Sequence, residues 1–240
     1  AVLTEHGFTP EEYDETGQLN FGLVVNFEPG TQKIQIVRTG DAQVLTSQMV
    51  SANAPVVSNV ALVGAPDPVS GVVTLSWTGS DADGDTLTYE VAYSRDNGAS
   101  FQPVAFGIQS SSTEIDTEQL GGSGTAILRV TASDGVQQGS GDSAPFVMAD
   151  KPPQAYILDP VDGHSVQWGQ LVNFNGMALD AQDGLVEGSG LVWKSAGGST
   201  LGTGALISLD NLPVGVNVIT LEATNSVGLT GSTTVTVIVG

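Results

Sequence analysis

Three carboxylates stand at alternate positions in one short stretch of this sequence and could together bind a cation. Asp81, Asp83 and Asp85 are separated by Ala82 and Gly84. Carboxylates on one side of a turn suit a hard cation such as Ca²⁺, and glycine lets the backbone curve round the ion. The stretch lacks the glutamate that ends an EF-hand loop, so a site needs further ligands from elsewhere in the fold. Two interpretations stay open: a calcium site, and a solvated turn whose aspartates accept local amide hydrogen bonds.

A second acidic stretch repeats part of this pattern. Asp180 and Asp183 flank two uncharged residues and precede Gly184. The stretch carries fewer carboxylates than the first, and the same two interpretations apply to it. We predict Asp180 and Asp183 as further metal ligands, with calcium as the expected ion.

The sequence contains few groups arranged for catalysis. Its two histidines, His6 and His164, do not belong to an H-E-x-x-H motif, and it has no cysteine. No serine stands in a G-x-S-x-G motif, and no phosphate-binding or dinucleotide fingerprint is present. A carboxylate pair for glycoside hydrolysis stays open, since any two acids could meet in space, but 26 acidic residues make chance pairs common and count against it. We predict no catalytic residue, no organic-cofactor site and no autonomous enzymatic activity.

The net charge of −20 limits the classes of molecule that the chain is expected to bind. An anionic surface of this size repels phosphate backbones and acidic lipids, so we expect no binding to nucleic acid. No apolar run reaches the roughly 18 residues of a membrane-spanning helix, so we expect no membrane insertion. The first residues lack the pattern of a signal peptide, and we expect the chain to be a monomeric fragment of a larger protein.

The elements that must position these residues are short strands. Apolar side chains recur at every second residue in many segments, for example Val73, Leu75 and Trp77, and turn residues separate the segments. No stretch keeps a 3.6-residue period over three turns, so we expect very little helix. Strands are predicted near residues 19–27, 32–38, 42–50, 56–65, 72–78, 86–94, 101–106, 113–115, 126–135, 144–148, 155–160, 170–180, 191–194, 205–210, 217–224 and 232–239.

These strands divide into three parts. Residues 1–52 form a short β-rich N-terminal segment, the tail of an upstream domain or a small sheet packed on the next one. Residues 53–150, the middle module, hold seven predicted strands, the pattern of a two-sheet sandwich. Asp150-Lys151-Pro152-Pro153 marks a boundary because two prolines stiffen the chain. Residues 151–240, the C-terminal module, repeat the plan. We therefore predict an all-β chain with tandem β-sandwiches.

Several motifs resemble known extracellular families. The middle module resembles a fibronectin type III domain in Trp77, Tyr89 and Leu120 followed by AILRVTASDG, but lacks a corner tyrosine near Ala126. The C-terminal module resembles bacterial Ig-like/PKD-like domains in GQLVNFNGMALDAQDG, Trp193 and NLPVGVNVITLEATNSVG, without the PKD-type WDFGDG. The pair is similar to tandem modules of secreted bacterial hydrolases and surface adhesins.

One turn and several aromatic residues have their own predicted roles. Ser94 to Phe101 resembles an Asp-box, S-x-D-x-G-x-x-[WF]. The pattern predicts a hairpin in which Asp96 accepts amide hydrogen bonds, Gly98 takes a positive φ and Phe101 anchors the turn in the core. Trp77 and Trp193 are predicted core residues. Trp168 in a turn, with Tyr13 and Tyr156, could present stacking faces for sugars.

Together these features favour non-catalytic spacer and interaction modules of a larger secreted or cell-surface bacterial protein, stabilised by calcium. The expected location is extracellular or at the cell surface, and the expected partner is a protein or polysaccharide there. Two alternatives remain. The chain could form accessory C-terminal domains of a secreted peptidase or glycosidase, with catalysis upstream. It could instead be a carbohydrate-binding module.

Overall fold

The computed structural model describes residues 6, 7, 28 and 30–240, and strands joined by turns make up this part of the chain. The helical elements among these residues are two 3-10 turns, Thr117–Gln119 and Gly188–Gly190. The prediction of an all-β fold with sandwich modules is confirmed. The strand predicted near residues 19–27 lies outside the described residues. The chain divides into two compact units, Ala1–Ala52 and Asn53–Gly240.

The first unit contains a two-stranded antiparallel hairpin. Its strands are β1 (Lys33–Arg38) and β2 (Gln43–Met49), both predicted, with a register shift after Ile36. At the turn, the Arg38 guanidinium donates to both carboxylate oxygens of Asp41, at 2.9 and 2.6 Å. An ion pair this exposed is screened by solvent and contributes little to stability, so it defines the turn more than it stabilises the unit.

The middle module is built from two facing sheets. The strands are β3 (Val56–Val63), β4 (Val72–Ser80), β5 (Thr88–Ser94), β6 (Gln102–Ile108), β7 (Ser112–Asp116), β8 (Ser123–Ser133), β9 (Gln138–Asp142) and β10 (Phe146–Met148). One sheet has the order β3-β4-β7. In the other, β8 pairs with β5, β9 and β10, and β5 also pairs with β6.

The core of the middle module follows the predicted alternation. Along β4 the side chains of Val73, Leu75 and Trp77 are buried. The ring of Trp77 meets that of Tyr89 from the facing sheet edge-on, with 5.2 Å between centroids. Because aromatic rings prefer this edge-to-face arrangement, the pair stabilises the contact between the two sheets beyond its buried area.

The C-terminal module repeats the two-sheet plan. Its strands are β11 (Gln154–Asp159), β12 (His164–Val166), β13 (Val172–Asp180), β14 (Gly184–Val186), β15 (Leu191–Ser195), β16 (Thr200–Thr203), β17 (Leu206–Leu209), β18 (Gly215–Thr224) and β19 (Thr230–Val239). In one sheet β13 pairs with β11, β14 and β17; the other has the order β12-β19-β18-β15-β16, with β12 parallel to β19. Phe174 and Trp193 are fully buried in the core, with ring centroids 5.5 Å apart.

In both modules, the residue just before the first strand lies against the backbone of a strand that comes much later in the sequence. In the middle module, a Cβ at Gly139 of β9 would overlap the carbonyl oxygen of Pro55. In the C-terminal module, a Cβ at Gly231 of β19 would overlap the carbonyl oxygen of Pro153. Glycine is needed at both positions because no other residue lets two backbones approach so closely.

Among the described residues, no helix has the length and apolar character needed to span a bilayer.

Candidate functional site

The acidic stretch lies in the loop between β4 and β5, and its backbone folds round Asp81. One oxygen of this carboxylate, Oδ1, accepts hydrogen bonds from the amide nitrogens of Asp83 and Asp85, at 2.8 and 3.4 Å. The Asp81 carbonyl accepts a third from the amide of Gly84, whose φ is +81°. The loop thereby brings oxygens of Asp81, Asp83 and Asp85 within 4.8 Å of one another, as their alternate spacing predicted.

Asn53 also contributes to this acidic loop. Both carboxylate oxygens of Asp83 accept hydrogen bonds from Asn53, one from its backbone amide at 2.8 Å and one from its side-chain amide at 3.0 Å. The start of the middle module is thus tied to the loop. Nothing in the spacing of the aspartates indicates this contact, because Asn53 lies 30 residues away in sequence.

The acidic loop gathers three carboxylates in one place. Negative charges this close to one another repel each other. The second oxygen of Asp81, Oδ2, is buried and has no hydrogen-bond partner among the residues that the structure describes. A buried acceptor without a donor costs on the order of 1–3 kcal/mol. An oxygen-rich, anionic set with one unsatisfied acceptor fits a hard divalent cation, and calcium binding here stays a prediction.

The other predicted metal ligands lie at the end of β13, and their oxygens face protein donors. Asp180 is buried, and its Oδ1 accepts from the amides of Gln182 and Asp183, at 2.8 and 2.9 Å. Its Oδ2 accepts from the side-chain amide of Asn225 at 3.0 Å. The carboxylate of Asp183 accepts from the amide and hydroxyl of Ser226, at 2.7 and 2.9 Å, and these bonds lower its pKa. Metal binding by this pair stays a prediction.

Sequence reasoning missed the polar contacts between the two modules. Arg95 of the middle module donates through Nη1 to the carbonyl oxygen of Gln182 at 2.6 Å. The side chain of Gln182 donates to the carbonyl of Lys151 at 2.8 Å and accepts from the amide of Gly122 at 3.3 Å. The sequence signals for these contacts are weak. They are a Gly-Gly pair after Leu120 and a lysine directly before two prolines.

The turn that resembles an Asp-box has the predicted structural role. The carboxylate of Asp96 accepts hydrogen bonds from the hydroxyl of Ser100 at 2.6 Å, the amide of Ser100 at 2.8 Å and the hydroxyl of Ser94 at 2.7 Å. These bonds lower the pKa of Asp96 to about 2. Gly98 has a φ of +86°. Phe101 differs from the prediction: its half-buried ring lies 3.9 Å from the guanidinium of Arg129.

The remaining candidates for chemistry lie on the surface. His164 is exposed and begins strand β12. His6 is also exposed. The side chain of Trp168 is 71% exposed and that of Tyr156 is 43% exposed, while Tyr13 lies outside the described residues. The predicted core tryptophans, Trp77 and Trp193, are buried.

Comparison with known proteins gives structural similarity alone. No protein-family model and no curated protein matches the sequence. The fibronectin(III)-like modules of Clostridium thermocellum CbhA share 16% identity with a TM-score of 0.33, over 75% of this chain and 93% of that one. The N-terminal four Ig domains of Dscam1 share 12% identity with a TM-score of 0.35, over 71% of this chain and 42% of that one. A titin fragment shares 13% identity with a TM-score of 0.34, over 78% of this chain and 100% of that one. The first two of these structures are described as fibronectin(III)-like modules and Ig domains.

Proposed function

We propose that residues 53–240 are non-catalytic spacer and interaction modules of a larger secreted or cell-surface bacterial protein. The observation that supports this role is that the basic side chains of these residues make ion pairs and hydrogen bonds within the protein. Arg129 pairs with Asp142 at 2.7 Å, Lys194 with Glu222 at 2.5 Å and Lys151 with Glu118 at 3.5 Å, and Arg95 donates to backbone carbonyls. Groups that could bind an anionic substrate therefore hold strands and modules together. A secreted hydrolase with its catalysis upstream remains an alternative parent.

The proposal includes calcium at Asp81, Asp83 and Asp85. The ion would supply the positive charge that the three carboxylates lack and would give the buried Oδ2 of Asp81 a partner. Since Asp83 is also bound to Asn53, stabilising the loop also stabilises the start of β3. Anything that binds the folded state alone stabilises it by mass action, so the stability of the middle module would depend on the ion.

Thermal unfolding with and without calcium tests this site. At a calcium concentration of 100 times the dissociation constant, the stabilisation is about 2.7 kcal/mol, which raises the melting temperature of a domain of this size by roughly 10 °C. The Asp81→Asn and Asp85→Asn variants are expected to lose the response, and Asp210→Asn, an exposed acid elsewhere, is expected to keep it. A wild-type melting temperature that is the same in millimolar calcium and in EDTA would disprove calcium binding.

A carbohydrate-binding role is the second candidate, because Trp168 is 71% exposed in a turn and can offer an open stacking face. A glycan array tests it. Binding that is lost in Trp168→Ala would support sugar recognition, and an array without signal would count against it.

A further inference from the structure

The connection between the two modules is short, and part of it is buried. Strand β10 ends at Met148 and β11 begins at Gln154, so residues 149–153 make the whole link. Lys151 is 6% exposed and Pro153 is also buried. Two consecutive prolines restrict the backbone of the link and leave no donor on either residue. A flexible linker would instead be exposed and rich in small polar residues.

The carbonyl oxygen of Lys151 is held from two directions. It accepts hydrogen bonds from the side-chain amides of Gln182 at 2.8 Å and Asn225 at 2.9 Å. Asn225 is itself buried and fixed, because it also donates to Asp180 at 3.0 Å and accepts from the amide of Leu229 at 2.8 Å. The link therefore docks against two side chains of the C-terminal module whose positions are already set.

The turn of the C-terminal module that holds Gln182, residues 180–183, also contacts the middle module directly. Arg95 spans the junction, with its Nε donating to the carbonyl of Gly122 at 3.3 Å and its Nη1 to that of Gln182 at 2.6 Å. The side-chain oxygen of Gln182 accepts from the amide of Gly122 at 3.3 Å. Hydrogen bonds from a charged donor are stronger than neutral ones, and here one guanidinium joins both modules.

Two glycines make this close approach sterically feasible. A Cβ at Gly121 would lie 2.5 Å from the carbonyl oxygen of Ala181, in the other module. A Cβ at Gly122 would overlap the carboxylate of Asp150 in the link. Neither glycine has a positive φ, so close packing, not backbone conformation, is what requires glycine at these two positions.

We infer that the turn Asp180–Asp183 is a docking element that locks the middle and C-terminal modules into one rigid body with a fixed angle. Tandem modules move relative to each other by default, and a small polar interface does not usually prevent this. Here the partly buried link, the bridging Arg95 and the close contact at Gly121 act together. The inference rests on the proposed spacer role for its biological meaning, since it makes the spacer stiff at this joint.

Distance measurement between two spin labels tests the lock. The chain has no cysteine, so Ser112→Cys and Thr203→Cys, exposed positions in different modules, place one nitroxide on each. Double electron–electron resonance in EDTA is expected to give a single narrow distance distribution. The pair of changes Arg95→Ala and Gln182→Ala is expected to broaden it at least about twofold, because tandem modules without a rigid interface move independently. Gly121→Ala is expected to shift or broaden it, because the added methyl separates the modules.

Arg129→Ala is the matched control. Like the tested change at Arg95, it removes an arginine side chain. The partners of Arg129, the carboxylate of Asp142 and the ring of Phe101, both lie within the middle module. It is expected to lower the stability of that module and to leave the distance distribution unchanged. Gln182→Ala alone removes no core packing, so it keeps the test decisive if the double variant does not fold. A broad distribution in the wild type, or a narrow unshifted one in Gln182→Ala and Gly121→Ala, would overturn the lock. Because EDTA is present throughout, failure of calcium binding does not alter these results.

Discussion

The hydroxyl of Tyr93 donates a 2.6 Å hydrogen bond to the carbonyl oxygen of Gly121. Tyr93 is buried on β5, whereas Gly121 follows the corner at Leu120 that leads into β8. The sequence lacks the corner tyrosine expected near Ala126, and Tyr93 ties down the same corner from another strand. Because Gly121 also faces Ala181, this bond supports the surface on which the C-terminal module docks.

Tyr93→Phe is expected to destabilise the middle module by about 1–3 kcal/mol, because the carbonyl of Gly121 loses its donor in a buried place. Urea unfolding followed by tryptophan fluorescence measures this loss. Tyr156→Phe is the control, since its hydroxyl bonds to Gln154 at the surface, and a change within about 0.5 kcal/mol is expected there. Equal stability of the two variants would contradict the role of the corner bond.

The ionisation of Tyr93 should be delayed in the folded protein. Burial raises the pKa of its hydroxyl to about 12. The unfolded chain ionises near pH 10, so the stability contributed by neutral Tyr93 is present below about pH 10 and is lost as the pH rises to about 12. Tyrosinate absorbance near 295 nm should therefore show a late-titrating component that is missing in Tyr93→Phe. Titration of every tyrosine near pH 10 in the folded protein would refute this.

Asp96 should account for part of the stability that the folded protein loses at low pH. Its hydrogen bonds with Ser100 and Ser94 lower its pKa to about 2, whereas a free aspartate titrates near 4. The contribution of the ionised Asp96 is therefore present above about pH 4 and is lost as the pH falls towards 2. Asp96→Asn should be less stable at pH 7 and should lose less stability than the wild type over that window. Circular dichroism at a series of pH values measures both, and parallel curves would speak against it.

Asn225→Ala is expected to cost about 2 kcal/mol, because it leaves Asp180 and the carbonyl of Lys151 each short of a donor in a buried place. The matched control is Asn173→Ala, an exposed residue whose side chain accepts one bond from Ser208, with an expected effect within about 0.5 kcal/mol. Differential scanning calorimetry distinguishes the two. If Asn173→Ala were the more damaging change, the buried polar contacts would not be the stabilising ones.

A methyl group added at Gly176 should overpack the core of the C-terminal module. A Cβ there would lie 3.0 Å from the ring of Trp193 and overlap Leu221. Overpacking of this kind costs about 1–3 kcal/mol. Gly124→Ala is the control and should be neutral or slightly stabilising, because no described residue beyond its chain neighbours has an atom within 4 Å of the added Cβ. Guanidinium unfolding of both variants provides the comparison, and a neutral Gly176→Ala would mean that the core can relax round the methyl.

The fold was predictable wherever apolar side chains alternate. Val73, Leu75 and Trp77 lie inside as expected, and so does Trp193. Strands β9, β12, β14 and β16 were missed because they are only three to five residues long and carry little alternation. Their strand conformation comes from pairing with β8, β19, β13 and β15, which is a property of the assembled sheet.

The candidate site was predictable in its local part. Alternate spacing was enough to expect Asp81, Asp83 and Asp85 to converge. Contacts between distant residues gave no such signal: Asn53 lies 30 residues from Asp83, and Arg95 lies 87 residues from Gln182. Hydrogen bonds of this kind depend on which loops the fold brings to the same end, and no periodic pattern records that.

The contacts of Pro55 with Gly139 and of Pro153 with Gly231 bear on where each module can be cut out of the chain. In both modules, the proline just before the first strand covers the backbone of a strand that comes much later in the sequence. A piece trimmed to start at Gln154 would leave the backbone of Gly231 bare to solvent, and one trimmed after Pro55 would do the same to Gly139. The few residues that precede each sandwich are therefore part of its fold, and the prolines of the link belong to the C-terminal module.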